Sequence, residues 1–242
     1  MATRLENVIF HTANPEALAE FWSRLVGWPV VAEHGEIDVR APESQGWHLD
    51  LVFDRDDQPK VVQNRVHLDL ASATPADQAE IIERAKGLGA KPIDIGQRDV
   101  PWEVMADPDG NEFCVLEPRE VYQDAGPIAA IVVQSVDAGA LSRFWRDATG
   151  WNLTAKPHGE FALRAPNGRG PWLEFLTGHP PKTVMNRLHL DVRPHAGDAQ
   201  QAEVDRLRRS GARPIDIGQG DVPWEVMADP EDNEFCVLTP PR

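Results

Sequence analysis

One long segment of the sequence occurs twice. Residues 91–118 (KPIDIGQRDVPWEVMADPDGNEFCVLEP) return as residues 213–240 (RPIDIGQGDVPWEVMADPEDNEFCVLTP), with 23 of 28 positions identical. The same offset holds upstream, where NRVHLDL at 64–70 matches NRLHLDV at 186–192 and EFWSRLVGW at 20–28 matches RFWRDATGW at 143–151. The offset is about 122 residues, so two copies of one unit fill the 242-residue chain.

The repeat predicts two domains, residues 1–119 and 128–242, joined by a linker at 120–127 with the sequence EVYQDAGP. Each domain of about 120 residues is long enough to bury a core of its own. Two copies this similar favour pseudo-two-fold pairing inside one chain, in place of a dimer of single domains. We therefore expect a monomer with internal pairing, and a homodimer stays an alternative.

Charge and composition narrow the class of partner. The chain has 24 basic and 39 acidic residues, a formal charge of −15, which repels nucleic acid and anionic lipid surfaces. No apolar run approaches 18 residues and no export leader follows Met1, so we expect neither a membrane span nor export, but a cytoplasmic protein. The only cysteines, Cys114 and Cys236, occupy equivalent positions, and two free thiols are the simplest interpretation.

Each repeat reads as two βαβββ units. In the first repeat a strand at 5–11 precedes a helix that begins at Asn14-Pro15 and ends at Gly27, and strands follow at 28–32, 37–41 and 47–53. The pattern starts again with a strand at 65–70, a helix at 74–88 and strands near 91–95, 101–105 and 112–116. The fold class is therefore α+β, with four βαβββ units in all.

Strand alternation separates an apolar face from a chemically active one. Because neighbouring side chains point to opposite sides of a strand, the apolar residues of 47–53, 66–70 and 112–116 should pack under the helices. In the first repeat the opposite face then carries His11, Asp50, His67 and Cys114. In the second repeat it carries Gln134, Glu174, His189 and Cys236. A sheet face bearing imidazole, carboxylate and thiol is typical of metal binding or acid–base chemistry.

Three motifs make the chain similar to the vicinal oxygen chelate superfamily, which contains glyoxalases, bleomycin-resistance proteins and extradiol dioxygenases. They are FW…GW after the first helix, NRVHLDL and NRLHLDV, and ADPDGNEFCVL and ADPEDNEFCVL. NEFCVL in the closing strand looks like the glyoxalase-like branch. The resemblance implies paired βαβββ units that form cup-like mixed sheets, with helices outside and a metal or ligand on the inner surface.

The resemblance also implies a metal-ligand position on four strands of each cup. Those positions fall on the eight residues already placed on the active face, four from each repeat. Glutamate is usual at the last position, and Cys114 and Cys236 replace it here. Thiolate favours Zn²⁺ over Ni²⁺, Fe²⁺ or Mn²⁺. A protein without metal remains open, since the cysteines could serve only packing and Asp69 and Asp191 could hold the two histidines.

Other residues are candidates for catalysis or for the wall of a ligand pocket. Asp50 and Glu174 are acidic residues inside apolar strands and could move a proton. Four more side chains could line a pocket for a small molecule, namely Trp102, Trp224, His48 and Trp172. We expect a glyoxalase-like protein that binds a small organic ligand, with metal-dependent lyase or isomerase activity as one outcome. The alternatives are a metal-free binding protein of the antibiotic-resistance kind and an extradiol-type dioxygenase.

Overall fold

The chain forms the predicted four βαβββ units. The computed structural model describes residues 3–33, 36–155 and 160–241. The first unit contains β1 (Arg4–Thr12), α1 (Pro15–Val26), β2 (Val30–Glu33), β3 (Glu36–Arg40) and β4 (Asp50–Arg55). The second contains β5 (Val66–Leu70), α2 (Pro75–Gly87), β6 (Lys91–Pro92), β7 (Glu103–Ala106) and β8 (Glu112–Val115).

The second repeat follows the same order. Its first unit contains β9 (Ile128–Ser135), α3 (Ala138–Thr149), β10 (Asn152–Ala155), β11 (Phe161–Arg164) and β12 (Trp172–Thr177). Its second contains β13 (Leu188–Arg193), α4 (Gln200–Arg209), β14 (Arg213–Pro214), β15 (Glu225–Ala228) and β16 (Glu234–Val237). The predicted α+β class with tandem units is confirmed.

Local sequence signals set the ends of α1. The Asn14 side chain accepts a hydrogen bond from the backbone N–H of Ala17 at 3.2 Å, and Pro15 occupies the first helical turn. Gly27 ends the helix with φ of 75°, a left-handed conformation that glycine adopts at no steric cost. These signals are local, and the structure confirms the helix at its predicted place.

The strands assemble into two eight-stranded mixed sheets, and each sheet draws one unit from each repeat. The first sheet has the order β14-β15-β16-β13-β1-β4-β3-β2, and the second has the order β10-β11-β12-β9-β5-β8-β7-β6. β1 pairs antiparallel with β13, and β5 pairs antiparallel with β9. Exchanging the two repeats converts one strand order into the other, so a pseudo-two-fold relation operates within the chain.

We call the helix-free face of the first sheet, on β1, β4, β13 and β16, the first cup. The helix-free face of the second sheet, on β5, β8, β9 and β12, is the second cup. The prediction that His11, Asp50, His67 and Cys114 share one face is wrong, and so is its counterpart for the second repeat. His11 and Asp50 lie in the sheet of His189 and Cys236, whereas His67 and Cys114 lie in the sheet of Gln134 and Glu174.

The reason is that alternation tells which face a residue occupies but not which strand lies next to it. NRVHLDL and NRLHLDV are nearly the same sequence, so β1 could pair with either β5 or β13 on chemical grounds. The tertiary arrangement selects β13.

The alternation itself is confirmed. Apolar side chains from one face of the central strands and from the helices form a continuous buried cluster that includes both repeats. Within each repeat the two units also share a matched polar contact. Trp22 Nε1 donates to Asp107 Oδ2 at 3.2 Å, and Trp145 Nε1 donates to Asp229 Oδ2 at 3.1 Å. Along the described ranges, no helix has the length and apolar character needed to cross a membrane.

Candidate functional site

Three donor side chains converge on the floor of the first cup. His189 and Asp191 lie two residues apart on β13 and therefore point to the same side, and Cys236 on β16 is the register partner of Asp191. One ligand atom from each of His189, Asp191 and Cys236 lies within 4.8 Å of the others, and all three residues are buried. We call these three residues the first triad.

His189 uses its two ring nitrogens for different contacts. Its Nε2 lies 3.4 Å from Asp191 Oδ1 and 3.7 Å from Cys236 Sγ. Its Nδ1 lies 3.2 Å from Nε2 of His11, which comes from β1. Asp191 and Cys236 therefore contact one ring nitrogen of His189, and His11 contacts the other. These contacts fix the orientation of the ring.

The electrostatics of the first cup are set by burial. Burial lowers the pKa of His11 to about 4, and the neighbouring charge of His189 adds to this effect, so His11 is neutral at pH 7. Burial also raises the pKa of the Cys236 thiol, and the nearby Asp191 carboxylate raises it further. Asp191 Oδ1 is buried without a hydrogen-bond partner. Such an oxygen is costly unless a cation or donor satisfies it.

Above the triad the first cup is open. A cavity of about 1090 Å³ is lined by the triad, by His11 and Asp54, and by Trp224. Burial raises the pKa of Asp54, and the Asp191 carboxylate adds to the shift. This volume is in the range that small organic ligands occupy.

The second cup contains an equivalent set of donors. Ligand atoms of His67, Asp69 and Cys114, which we call the second triad, also lie within 4.8 Å of one another. His67 Nε2 is 3.4 Å from Asp69 Oδ1, the same separation as in the first triad, and Asp69 Oδ1 likewise lacks a hydrogen-bond partner. The two triads are therefore chemically matched.

The space beside the second triad is filled by the linker between the repeats. Tyr122, at the end of a short 3₁₀ turn (Glu120–Tyr122), is 5% exposed and donates from its hydroxyl to Glu174 Oε1 at 2.9 Å. It packs in a small apolar cluster with Cys114 and with Val104, Leu116, Ala125 and Ala129. The linker thus lies within the second cup.

The strand register corrects the equivalence that we expected between Asp50 and Glu174. β4 pairs with β1 so that Val52 faces Ile9, and β12 pairs with β9 so that Glu174 faces Val132. Ile9 and Val132 both face the site histidine of the adjoining strand. Val52 is therefore the counterpart of Glu174. The predicted equivalence is wrong because Asp50 lies two residues before the position that corresponds to Glu174, on the same face of the sheet.

Asp50 instead corresponds to Trp172 and belongs to a separate ion-pair group. Arg40 Nε donates to both oxygens of Asp50 at 3.1 and 3.0 Å, and His48 Nε2 lies 3.9 Å from Asp50 Oδ1. His48 also lies 3.6 Å from Glu6 Oε1. Arg40 thus satisfies the Asp50 carboxylate, and His48 lies between Asp50 and Glu6.

The remaining predicted residues divide between the two cups. Trp224 lines the first cavity. Trp102 and Trp172 pack on the apolar cluster around Tyr122. Gln134 lies on β9 beside Leu176 of β12, in the position that His11 occupies in the first cup.

Sequence reasoning gave four functional residues another role or none. Asp69 and Asp191 were expected to hold the histidines, and the structure shows them as donors in the triads; their place two residues after each histidine was the available signal. Asp54 lies two residues after Val52 on the same face and could have been found by the same alternation. Tyr122 lies in a segment interpreted as a linker, and no local pattern indicates that it enters a cup.

Comparison with known proteins agrees with this architecture. The family model described as a glyoxalase-like domain matches twice, over residues 7–116 and 130–238. The chain belongs to the glyoxalase-like domain family. No curated protein gives a significant match to this glyoxalase-like protein.

Two solved structures of similar fold span nearly the whole chain. A candidate dioxygenase from Bacillus subtilis has a TM-score of 0.68 at 12% identity, covering 100% of this chain and 86% of its own. Glyoxalase I from Zea mays has a TM-score of 0.64 at 13% identity, covering 98% of this chain and 92% of its own. At these identities the likeness concerns the fold alone.

Proposed function

We propose that this glyoxalase-like protein binds one small organic ligand in the first cup and acts on it as a metal-dependent lyase or isomerase. The observation that carries the proposal is the first triad, in which an imidazole, a carboxylate and a thiol converge at the floor of an open cavity. The second cup offers a matched triad, but Tyr122 packs beside it, so we assign binding of a ligand from solution to the first cup.

The donors of the first triad fit a divalent metal ion. One imidazole nitrogen, one carboxylate oxygen and one thiolate are ligands that Zn²⁺ accepts, and the thiolate makes Zn²⁺ a better candidate than Ni²⁺, Fe²⁺ or Mn²⁺. A bound divalent ion supplies Lewis-acid polarisation of a ligand oxygen. His11 supports this arrangement without being a ligand. Its hydrogen bond is to Nδ1 of His189, so Nε2 of His189 stays available to the metal.

Proton movement in the first cup is best assigned to Asp54. The predicted candidates, Asp50 and Glu174, are engaged by Arg40 and by Tyr122 respectively. Asp54 lines the cavity, and burial raises its pKa toward the range where a carboxylate is a useful base. We propose that Asp54 accepts a proton from the bound ligand.

A metal-free binding protein is the alternative, and one observation favours it. The pKa of the Cys236 thiol is raised by burial, so without a metal the thiol stays protonated and acts as an apolar side chain. The cavity, with Trp224 on its wall, would then hold an aromatic ligand without turnover.

An extradiol-type dioxygenase, the second alternative, has less support. That chemistry uses two histidines and a carboxylate around Fe²⁺. His11 contacts Nδ1 of His189, whereas Asp191 and Cys236 contact Nε2, so the two histidines do not face one common point with the carboxylate.

The localisation and assembly are also proposals. Cys114 and Cys236 are both free and buried, and they lie in different sheets. Free thiols fit a reducing compartment, and we propose the cytoplasm. A monomer would be sufficient to form both cups, since each sheet is completed within the chain.

Elemental analysis tests the metal. The protein would be purified without chelator or metal-affinity tag, and transition metals would be measured as equivalents per chain. We expect about one equivalent, most often zinc, that His189→Ala and Cys236→Ser lose. The matched second-cup variants His67→Ala and Cys114→Ser should retain it. If the chain has no metal and takes none up on reconstitution with Zn²⁺, Ni²⁺, Fe²⁺ or Mn²⁺, the metal-dependent function is contradicted and the metal-free alternative replaces it.

A further inference from the structure

We infer that the second cup is a binding site for a hydroxyl-bearing aromatic molecule and that the chain occupies this site itself with Tyr122. The inference concerns the second cup only and does not depend on the function proposed for the first. It assigns to Glu174 the recognition of a phenolic hydroxyl and to the linker the role of an internal ligand.

The hydroxyl contact is built from a buried carboxylate. Glu174 is 6% exposed on β12, and Tyr122 donates to its Oε1 at 2.9 Å. A hydrogen bond to a carboxylate is among the stronger protein hydrogen bonds. A neutral hydroxyl that fits the cup is therefore a better partner for this surface than an apolar group of the same shape.

The ring of Tyr122 is held as an aromatic ligand would be. Its neighbours in the apolar cluster are small or aliphatic side chains, and Trp102 and Trp172 pack against the same cluster. The guanidinium carbon of Arg119 lies 5.9 Å from the Tyr122 ring centroid and 5.5 Å from that of Trp102. Aromatic walls with a cation over the ring face are typical of aromatic-ligand sites.

The backbone of the linker is fastened on both sides of Tyr122. Trp172 Nε1 donates to the carbonyl of Val121 at 3.2 Å, and the backbone N–H of Gly170 donates to the carbonyl of Asp124 at 2.9 Å. These contacts keep the phenol inside the cup. Because the phenol is tethered, its effective concentration is in the millimolar range or above, and a free phenol must exceed that value to replace it.

The recognition is specific to the second cup. Val52 is the first-cup counterpart of Glu174 and cannot accept a hydrogen bond. The two cups therefore have matched triads but differ at this position, where the first cup offers a phenol no carboxylate acceptor.

Replacement of Tyr122 by a free phenol tests the inference. Tyr122→Ala removes the ring and hydroxyl, and 4-methylphenol (p-cresol) supplies the same groups from solution. By isothermal titration calorimetry, we expect Tyr122→Ala to bind p-cresol at one site that is absent from wild type and from Tyr122→Phe. Toluene, which lacks the hydroxyl, should bind this site at least about tenfold more weakly. In Tyr122→Ala/Glu174→Leu the preference for p-cresol over toluene should disappear.

Two results would overturn the inference. One is a folded Tyr122→Ala variant that binds no p-cresol, and the other is equal affinity for p-cresol and toluene. A second measurement covers the case in which Tyr122→Ala does not fold. Tyr122 is the only tyrosine in the chain, so its ultraviolet absorbance reports its ionisation in the folded wild type. We expect no ionisation near pH 10 and earlier ionisation in Glu174→Gln; an ordinary titration near pH 10 in folded wild type contradicts the buried contact.

Discussion

The two cups contain nearly the same chemistry and differ in what lies beside it. In each, a histidine and an aspartate two residues apart on one strand meet a cysteine on the next, with a histidine–aspartate separation of 3.4 Å. The first triad faces a cavity of about 1090 Å³, and the second faces Tyr122. The comparison teaches that a donor set alone does not define a functional site. The surroundings of the set separate the two cups: a cavity lies beside the first triad, and a segment outside the repeat packs beside the second.

A matched pair of tryptophans should show the largest effect of this difference. Trp102 packs against the Tyr122 cluster under the Arg119 guanidinium, whereas its counterpart Trp224 lines the open cavity. Trp102→Ala removes packing on a filled cup and should lower the free energy of unfolding by about 2 kcal/mol more than Trp224→Ala. Urea unfolding followed by circular dichroism measures both values.

Equal losses for the two variants would mean that the two cups are equally filled or equally open. Gln97, which accepts from Trp102 Nε1 at 2.8 Å, provides a control. Gln97→Ala should reproduce only a small part of the Trp102→Ala effect, because the contact is exposed.

A smaller effect should appear in the dependence of stability on pH. The pKa of His11 is lowered to about 4 by burial, below its ordinary value of 6.5, so the folded state favours the neutral ring. The contribution of the neutral His11 ring to the free energy of unfolding is fully present above pH 6.5 and is lost as the pH falls toward 4. The second cup has Gln134 at this position, so His11→Gln is the natural comparison.

Between pH 7 and pH 5.5 we expect wild type to lose about 1 kcal/mol more unfolding free energy than His11→Gln. Urea unfolding at the two pH values gives this difference. The same loss in both proteins would show that His11 is not held neutral in the first cup.

The sequence was sufficient to predict the four βαβββ units and the buried face of their strands. Asn14-Pro15 and Gly27 mark the ends of α1, and the period-two pattern of β4 and β5 places their apolar side chains in the core. These features are local, because a residue's capping group or strand neighbour lies within a few positions of it.

The sequence was insufficient to predict features that depend on how distant segments of the chain pack together. The segments before His67 and His189 are nearly identical, so nothing local determines which of them pairs with β1. Only the strand register shows that Asp50 lies two residues away from the position that corresponds to Glu174. Tyr122 lies in a segment without periodicity, and its burial results from contacts with residues about 50 positions away, such as Glu174.

The most direct test of the difference between the two cups is the reactivity of their cysteines. Cys236 would be measured in Cys114→Ser and Cys114 in Cys236→Ser, both after removal of metal with a chelator, by iodoacetamide labelling and mass spectrometry. Both thiols have a raised pKa, so both should react slowly, but Cys236 lines the open cavity and Cys114 packs beside Tyr122. The two side chains have nearly the same exposure, 5% for Cys236 and 6% for Cys114. We expect Cys236 to react faster, because the cavity beside it has room for the reagent and Tyr122 packs beside Cys114. Equal rates, or a faster Cys114, would contradict an open first cup and a filled second one.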